Sequence, residues 1–169
     1  MHFFDLFSYF PEEISSEINE FFKTDTEEKT RAIEEIRLRI ERPIILKFNK
    51  IEIVLNTFVK QEMILKTLEK ICDNSIYSFQ NQIKEGFITI KGGHRIGITG
   101  NCVIENDRVS NISHISSLNF RIAKQILGAS DKIIKYVINT QNNDIYSTLI
   151  VSPPGVRKDN SFKRFSKKN

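Results

Sequence analysis

Five residues near the C-terminal end of the chain have the types and spacing of a degenerate phosphate-binding loop. Ser152, Pro153, Pro154 and Gly155 follow a short apolar segment, and Lys158 stands where such a loop carries its lysine. In a working loop, a buried strand leads to backbone N–H groups and a lysine that hold phosphate, and a Ser or Thr binds magnesium. The spacing therefore predicts the beginning of a nucleotide-binding site.

Two neighbours of Lys158 disable this loop as a catalytic site. Arg157 replaces the glycine that normally precedes the lysine, and Asp159 replaces the Ser or Thr. An arginine side chain at 157 fills space that phosphate needs, and a carboxylate at 159 repels the phosphate charge. We therefore predict that the chain as it stands does not hydrolyse ATP and carries no metal or other cofactor.

The glycines are concentrated in one segment. Five of the seven lie between residues 86 and 100, namely Gly86, Gly92, Gly93, Gly97 and Gly100. Gly92 and Gly93 suit a tight hairpin turn, whereas Gly97 and Gly100 lie inside a strand pattern, where glycine indicates a bulge or a close backbone approach. A phosphate-binding glycine loop requires a following helix. The alternating apolar pattern after Gly93 predicts a strand instead, so we interpret these glycines as structural.

His94 and Arg95 follow the predicted glycine turn directly. One interpretation is a structural pair that satisfies nearby carbonyl groups. The functional alternative is a contact with a neighbouring domain, a neighbouring subunit or a nucleotide.

Composition indicates a soluble globular protein and places most of the net charge in the tail. The chain has 169 residues with 40% apolar content, and no apolar run approaches the roughly 20 residues that cross a bilayer. The net charge is +4, but residues 157–169 hold six Lys or Arg and one acid, so the residues before them are nearly neutral. The first residues lack the basic segment of a signal peptide. We therefore predict a cytoplasmic location.

Cys72 and Cys102 lie thirty residues apart and form no CxxC motif. This spacing predicts neither a disulfide framework nor a metal site. We interpret both cysteines as small, buried, apolar side chains.

Periodicity predicts a mixture of helices and strands. Apolar residues recur at helical spacing over 10–22, 60–72, 75–85 and 131–139. Alternating or short apolar runs predict strands over 35–40, 44–48, 51–55, 87–91, 95–104 and 148–152. Residues 109–123 are ambiguous, and we expect them to be extended and then helical towards Gln125. The pattern predicts an α+β fold with a mixed, mainly antiparallel sheet and flanking helices.

Four segments resemble the stage III sporulation protein AA family. They are residues 35–43, 86–100, 115–123 and 149–155, and they follow the family order over about residues 33–156. The glycine-rich segment 86–100 is the most specific of the four. Glu41 departs from the family pattern, which usually has glycine there, and so does the sequence after Val156.

The resemblance implies an N-terminal domain followed by a RecA-like ATPase domain that binds ATP and Mg²⁺ and assembles into a homo-oligomeric ring. Such a protein is expected in the mother cell of an endospore-forming bacterium, where it would energise a membrane channel complex towards the forespore. It also implies that arginines of the N-terminal domain reach the nucleotide. Arg95 and Arg121 are the candidates, with His94 beside them, and a structural salt bridge is the alternative for each arginine.

The departure after Val156 predicts a shift of the reading frame. The family continues with Gly-Lys-Thr-Thr-Leu-Leu-Arg-Asp, and one choice of codons for residues 157–165 encodes that run when it is read one base later. We therefore predict an N-terminal domain over 1–145, the first strand and loop of a RecA-like domain over 146–156, and an out-of-frame basic tail over 157–169.

Two other functions stay open. A stand-alone interaction module would bind the channel or ATPase partners through the N-terminal domain. A nucleic-acid-binding protein would use the basic tail, and its binding would depend strongly on salt. The sequence has no aromatic stacking motif for that role, so nucleic acid is not an expected partner.

Overall fold

The computed structural model describes residues 3–23, 32–49, 51–124, 131–139, 144–149 and 151. Contacts between Cα atoms divide the chain into two compact units, Met1–Ala123 and Lys124–Asn169, and each is described by itself. The predicted domain limits at 145 and 156 stay predictions.

The described part of the first unit combines six strands with helices before and between them. In chain order these are a 3₁₀ helix Phe3–Tyr9, α1 Glu12–Phe22, β1 Ile33–Arg39, β2 Pro43–Phe48, β3 Ile51–Phe58, α2 Gln61–Ile71, a 3₁₀ helix Ile76–Phe79, α3 Gln80–Lys84, β4 Phe87–Ile90, β5 His94–Glu105 and β6 Arg108–Arg121. The second unit contains α4 Asp131–Val137 and an antiparallel pair of two short strands, β7 Ile138–Asn139 and β8 Asp144–Ile145.

The six strands form one antiparallel sheet in the order β3-β2-β1-β6-β5-β4. The last strand, β6, returns to the centre of the sheet and pairs with β1 on one side and with β5 on the other. It therefore joins the two halves of the sheet. This arrangement confirms the predicted α+β class with its antiparallel sheet and flanking helices.

The core lies on one face of the sheet, against the helices. Successive side chains alternate across a strand, so Ile36 of β1 and Leu118 and Phe120 of β6 point to the same face, where they are fully buried. The ring centre of Phe10 lies 4.7 Å from that of Phe120. The opposite face carries polar side chains, and no described helix of this unit covers it.

Helix α1 presents an apolar stripe to this core. Ile14, Ile18 and Phe22 recur every four residues and are buried, as the helical period requires. Pro11 precedes the first turn, where its missing N–H removes no intrahelical hydrogen bond, and Glu12 places negative charge at the helix N-terminus.

Strands β5 and β6 continue past the rest of the sheet as a two-stranded arm. Strand β4 pairs with β5 only as far as Gly97, and β1 pairs with β6 only from Ser117 onwards. Residues 101–109 are consequently all exposed, and we call them the hairpin arm. Asn106 and Asp107 have φ angles of 51° and 57°, as suits the predicted turn.

Two predicted helices are wrong in part. Residues 75–85 form the 3₁₀ helix and the short α3 rather than one α-helix, although Gly86, with a φ of 80°, ends the segment as predicted. The helix expected after 109 does not form up to Lys124, because β6 stays extended to Arg121. Its pairing with two strands at once outweighs the weak local helical pattern. Gln125 lies outside the described residues.

The second unit departs from prediction at two places. The helix predicted over 131–139 ends at Val137, because the next two residues pair with β8. The strand predicted over 148–152 does not form at Thr148, Leu149 or Val151, and the last two are 87% and 82% exposed. Among the described residues no strand pairs with this segment, so its backbone gains no ladder hydrogen bonds.

Candidate functional site

The polar face of the sheet brings together charged residues that are distant in the sequence. Cross-strand pairing places Arg121 of β6 between Glu35 of β1 and Arg95 of β5. Residues directly opposite each other in antiparallel strands point to the same face, so these side chains form one row. We call this surface the open face. Its members from the three strands are Glu35, Arg37, Arg39, Arg95, Gly97, Thr99, Ser117, Asn119 and Arg121.

Arg95 and Arg121 are exposed and form no ion pair with any described residue. The guanidinium carbon of Arg95 lies 5.5 Å from the centre of the Phe87 ring, which is a cation–π distance. This contact orients Arg95 over β4. The two guanidinium groups leave positive charge on neighbouring strands that an anion would neutralise.

Arg37, by contrast, is held between two carboxylates. Its guanidinium nitrogens lie 2.7 Å from the Glu35 carboxylate and 2.8 Å from that of Glu52. The hydrogen bond to Glu35 raises the pKa of Arg37 above its ordinary value, and burial opposes that shift. These ion pairs engage both acids, and neither Arg39 nor Arg121 forms an ion pair with a described residue.

A groove of about 600 Å³ lies on the open face. The charged residues that line it are Arg37, Arg39, Arg42, Arg121 and Glu35. Pro43 and Ile45 add apolar surface to its wall. Within the described part of the chain, the Oδ1 atom of Asn119 in this wall is buried without a hydrogen-bond partner. The arginines and the apolar wall therefore suit an anionic ligand that is partly apolar, whereas the Asn119 oxygen would accept a hydrogen bond from a donor on that ligand.

His94 does not join the arginines, although it precedes Arg95 in the sequence. Alternation along β5 turns His94 to the buried face and Arg95 to the open face. Its Nδ1 atom accepts a hydrogen bond from the backbone N–H of Ala123 at 3.0 Å. His94 thus secures the chain just after β6 by accepting this N–H group.

Gly92 and Gly93 form the turn between β4 and β5. Their φ angles of 90° and 77° lie in the region that favours glycine, and the N–H of Gly93 donates to the carbonyl of Ile90 at 3.0 Å. This turn sets the register of the β4-β5 hairpin, and hence the position of Arg95.

Gly100 lies at a bulge between β5 and β6. The register shifts there, since Thr99 pairs with Ser117 whereas Asn101 pairs with Ser113. A Cβ atom on Gly100 would lie 2.6 Å from the carbonyl oxygen of Ser113, a distance that real structures do not tolerate. At Gly97 the nearest atom would be Cβ of Asn119 at 3.8 Å, an ordinary contact.

The predicted remnant of the phosphate loop lies outside the described residues. It comprises Ser152, Pro153, Pro154, Gly155 and Lys158. Contacts of this remnant with ATP and Mg²⁺ therefore stay a prediction.

Cys72 is buried as predicted, but the predicted burial of Cys102 is wrong, because Cys102 is exposed on the hairpin arm. Among the described residues, no three His, Cys, Asp or Glu side chains lie where they could hold a metal ion. No described helix is long and apolar enough to cross a membrane.

Sequence reasoning missed that Arg39 and Arg42 belong to the same surface as Arg121. The alternation over 35–40 places Arg37 and Arg39 on the polar side of β1. This alternation could have identified the shared surface only in combination with the pairing of β1 and β6. No local sequence pattern encodes that pairing.

The fold and the site define an α+β module that presents arginines from an uncovered antiparallel sheet. The chain belongs to the family described as sporulation stage III, protein AA, which matches residues 12–167 and so extends past Val156. It is similar to the stage III sporulation protein AA of Bacillus subtilis (strain 168), with 32% identity over 148 residues. The alignment covers 88% of this chain and 46% of that relative, so the chain spans about half the relative's length. These findings confirm the resemblance that the glycine-rich segment predicts.

Proposed function

We propose that the chain is the N-terminal module of a sporulation ATPase and that it presents Arg95 and Arg121 to a nucleotide held by a neighbouring domain or subunit. One observation carries the proposal. Two exposed guanidinium groups stand opposite each other in register on the open face, with no carboxylate partner among the described residues. Membership of the sporulation stage III protein AA family supports the sporulation role.

An arginine pair suits the charge of a transferring phosphoryl group. Guanidinium stays charged at physiological pH, and its planar fork matches phosphate oxygens. An arginine supplied from outside the nucleotide-binding domain accelerates phosphoryl transfer by about 10³-fold or more. In this proposal the catalytic centre, with ATP and Mg²⁺, belongs to the RecA-like domain. The intact protein works as a ring in the mother-cell cytoplasm and energises the channel subunits towards the forespore.

The test is Arg121→Ala in the full-length protein whose reading frame continues through a complete phosphate loop. We expect ATP turnover to fall by about 10³-fold. We expect the midpoint of thermal unfolding to change little, because no described residue forms an ion pair with Arg121. Turnover is measured by phosphate release and stability by circular dichroism.

Lys84→Ala is the matched control, because Lys84 is an exposed basic residue of α3 that belongs neither to the open face nor to the hairpin arm. This variant should keep wild-type turnover. Unchanged turnover in Arg121→Ala would refute the nucleotide contact, and an equal loss of turnover and stability would assign Arg121 a structural role.

The shift of reading frame belongs to the same proposal, and the nucleotide sequence around codon 156 tests it. One alternative frame should continue with Gly-Lys-Thr-Thr and later encode an aspartate after an apolar strand. If no frame does so, the broken loop belongs to the protein itself. A stable 169-residue product in sporulating cells would then favour a stand-alone interaction module. The exposed hairpin arm supports that alternative, because it offers a surface for a partner.

A further inference from the structure

We propose that the hairpin arm of one copy docks into the groove on the open face of a second copy. Both surfaces belong to the 169-residue chain, so this contact does not rest on the nucleotide contact proposed above. Complementary charge and exposed apolar surface on the arm and the groove favour a second copy as the occupant of the groove.

The hairpin arm is an apolar projection with an acidic turn. Ile104 is 67% exposed, and Val109, its cross-strand partner, is exposed beside it. Glu105 precedes the turn and Asp107 lies in it, and Arg108 is the one basic residue between 101 and 109. Covering these apolar side chains would remove them from water and so stabilise the complex.

One end of the groove has the complementary character. Arg39 and Arg42 line it, and neither forms an ion pair with a described residue. Beside them on the edge strand β3, Val54 and Phe58 are 60% and 61% exposed. Val54 pairs with Ile45 of the groove wall, so the apolar patch continues into the groove.

The fit favours a second copy over a free phosphate. The acidic turn would neutralise Arg39 and Arg42, while Ile104 would cover Val54 and Phe58. A phosphate would satisfy the arginines but leave the apolar side chains in water. Each copy has one arm and one groove, so a reciprocal dimer or a ring would fill every groove.

The docking end is separate from the row that contains Arg95 and Arg121. Arg39 lies four residues along β1 from Glu35, the partner of Arg121, which corresponds to about 13 Å of strand. An arm at one end therefore leaves the arginine pair accessible at the other.

Cysteine cross-linking between two differently tagged copies tests the contact directly. One copy carries Val54→Cys together with Cys102→Ala, and the other keeps its native Cys102, which is exposed. Cys72 is fully buried, so its thiol is not accessible to a second copy, and burial also raises the pKa of this thiol. Strands β3 and β5 lie four strand spacings apart, about 19 Å, so a bond between residues 54 and 102 must join two copies. We expect a disulfide-linked product that carries both tags, and its absence under mild oxidation would overturn the proposal.

Sedimentation velocity on the full chain measures how much the charges of the groove and the arm contribute to self-association. Arg39→Glu with Arg42→Glu should weaken self-association by about tenfold or more. Mixing this variant with Glu105→Lys/Asp107→Lys should restore association, because each arm then meets a groove of opposite charge. Circular dichroism verifies that each variant is folded.

Leu65→Ser is the matched control, because Leu65 lines a different apolar groove of about 500 Å³. It should leave association unchanged. A chain that stays monomeric at every concentration, association that ignores both charge reversals, or association lost in Leu65→Ser would each contradict the assigned contact.

Discussion

At Gly100 the backbone of β5 approaches β6 so closely that no side chain fits. Three atoms surround the position a Cβ would take: the Ser113 carbonyl oxygen at 2.6 Å, Ile112 Cγ2 at 2.9 Å and Ile115 Cα at 3.0 Å. Two of them belong to the backbone, which cannot rotate away as a flexible side chain would. The close approach coincides with the bulge from which the hairpin arm leaves the sheet.

Gly100→Ala should therefore destabilise the chain by about 1–3 kcal/mol, as overpacking does in other interiors. Gly97→Ala is the matched control, because its Cβ meets an ordinary contact at 3.8 Å. Reduced entropy of the unfolded chain should make that variant neutral or more stable by about 0.4–1 kcal/mol. Urea unfolding gives both values, and equal stability of the two variants would contradict the close approach at Gly100.

Glu41 shows what the sequence could and could not predict at a single position. The family pattern marked Glu41 as a departure from glycine, and its φ of 58° is a left-handed conformation that favours glycine. The periodicity predicts a strand over 35–40, but it contains no information about the sign of φ at the residue that follows. The special geometry was therefore visible only through the family resemblance.

At the scale of elements, Glu17 of α1 fastens the helix to the edge strand β3. Its Oε1 atom accepts the backbone N–H of Asn56 at 2.6 Å, and its two oxygens accept that of Thr57 at 3.1 and 3.0 Å. Both residues lie where the register of β2 and β3 shifts, between the pairs Ile45–Val54 and Pro43–Phe58, so the carboxylate supplies acceptors where the ladder is irregular. The carboxylate thus fixes the position of α1.

Glu17→Ala should lower the free energy of unfolding by about 1.5–3 kcal/mol, the range for hydrogen bonds to a charged group. The amides of Asn56 and Thr57 should exchange with solvent faster, because they lose their acceptor. Glu20→Ala, an exposed position of the same helix, should leave both measurements unchanged. If Glu17→Ala behaves like Glu20→Ala in hydrogen exchange, the carboxylate does not hold β3.

Element types were easier to predict than element pairing. Strand β1 was predictable because strict alternation over 35–40 separates its buried residues from its charged ones. The pairing of β6 with β1 was not, since it depends on contacts between segments far apart in the chain. The same distinction between local features and strand pairing applies to the candidate site. Arg95 and Arg121 were predicted as individual residues, whereas the row they form with Glu35 required the register of three strands.

At the scale of the whole molecule, the large hydrophobic cluster of the described residues lies within the first compact unit. Its buried residues extend from Leu6 to Phe120. Several of them lie on the two central strands, β1 and β6. Among the described residues, those after Ala123 supply none of this cluster. A hydrogen bond from the backbone N–H of Ala123 to Nδ1 of His94 fastens the residues after β6 to β5.

We therefore expect residues 1–123 to fold without the rest of the chain. Such a fragment should unfold cooperatively, with a midpoint close to that of residues 1–145 and of the full chain, because burial of the core drives its stability. A fragment of residues 1–107 is the matched control. It lacks β6, so β1 keeps only β2 as a partner and β5 keeps only β4, and it should show no cooperative transition. Circular dichroism melts and amide NMR spectra distinguish these outcomes. A cooperative transition that appears only when residues 124–145 are present would place the domain boundary at the predicted limit of 145 and would show that the later segment completes the core.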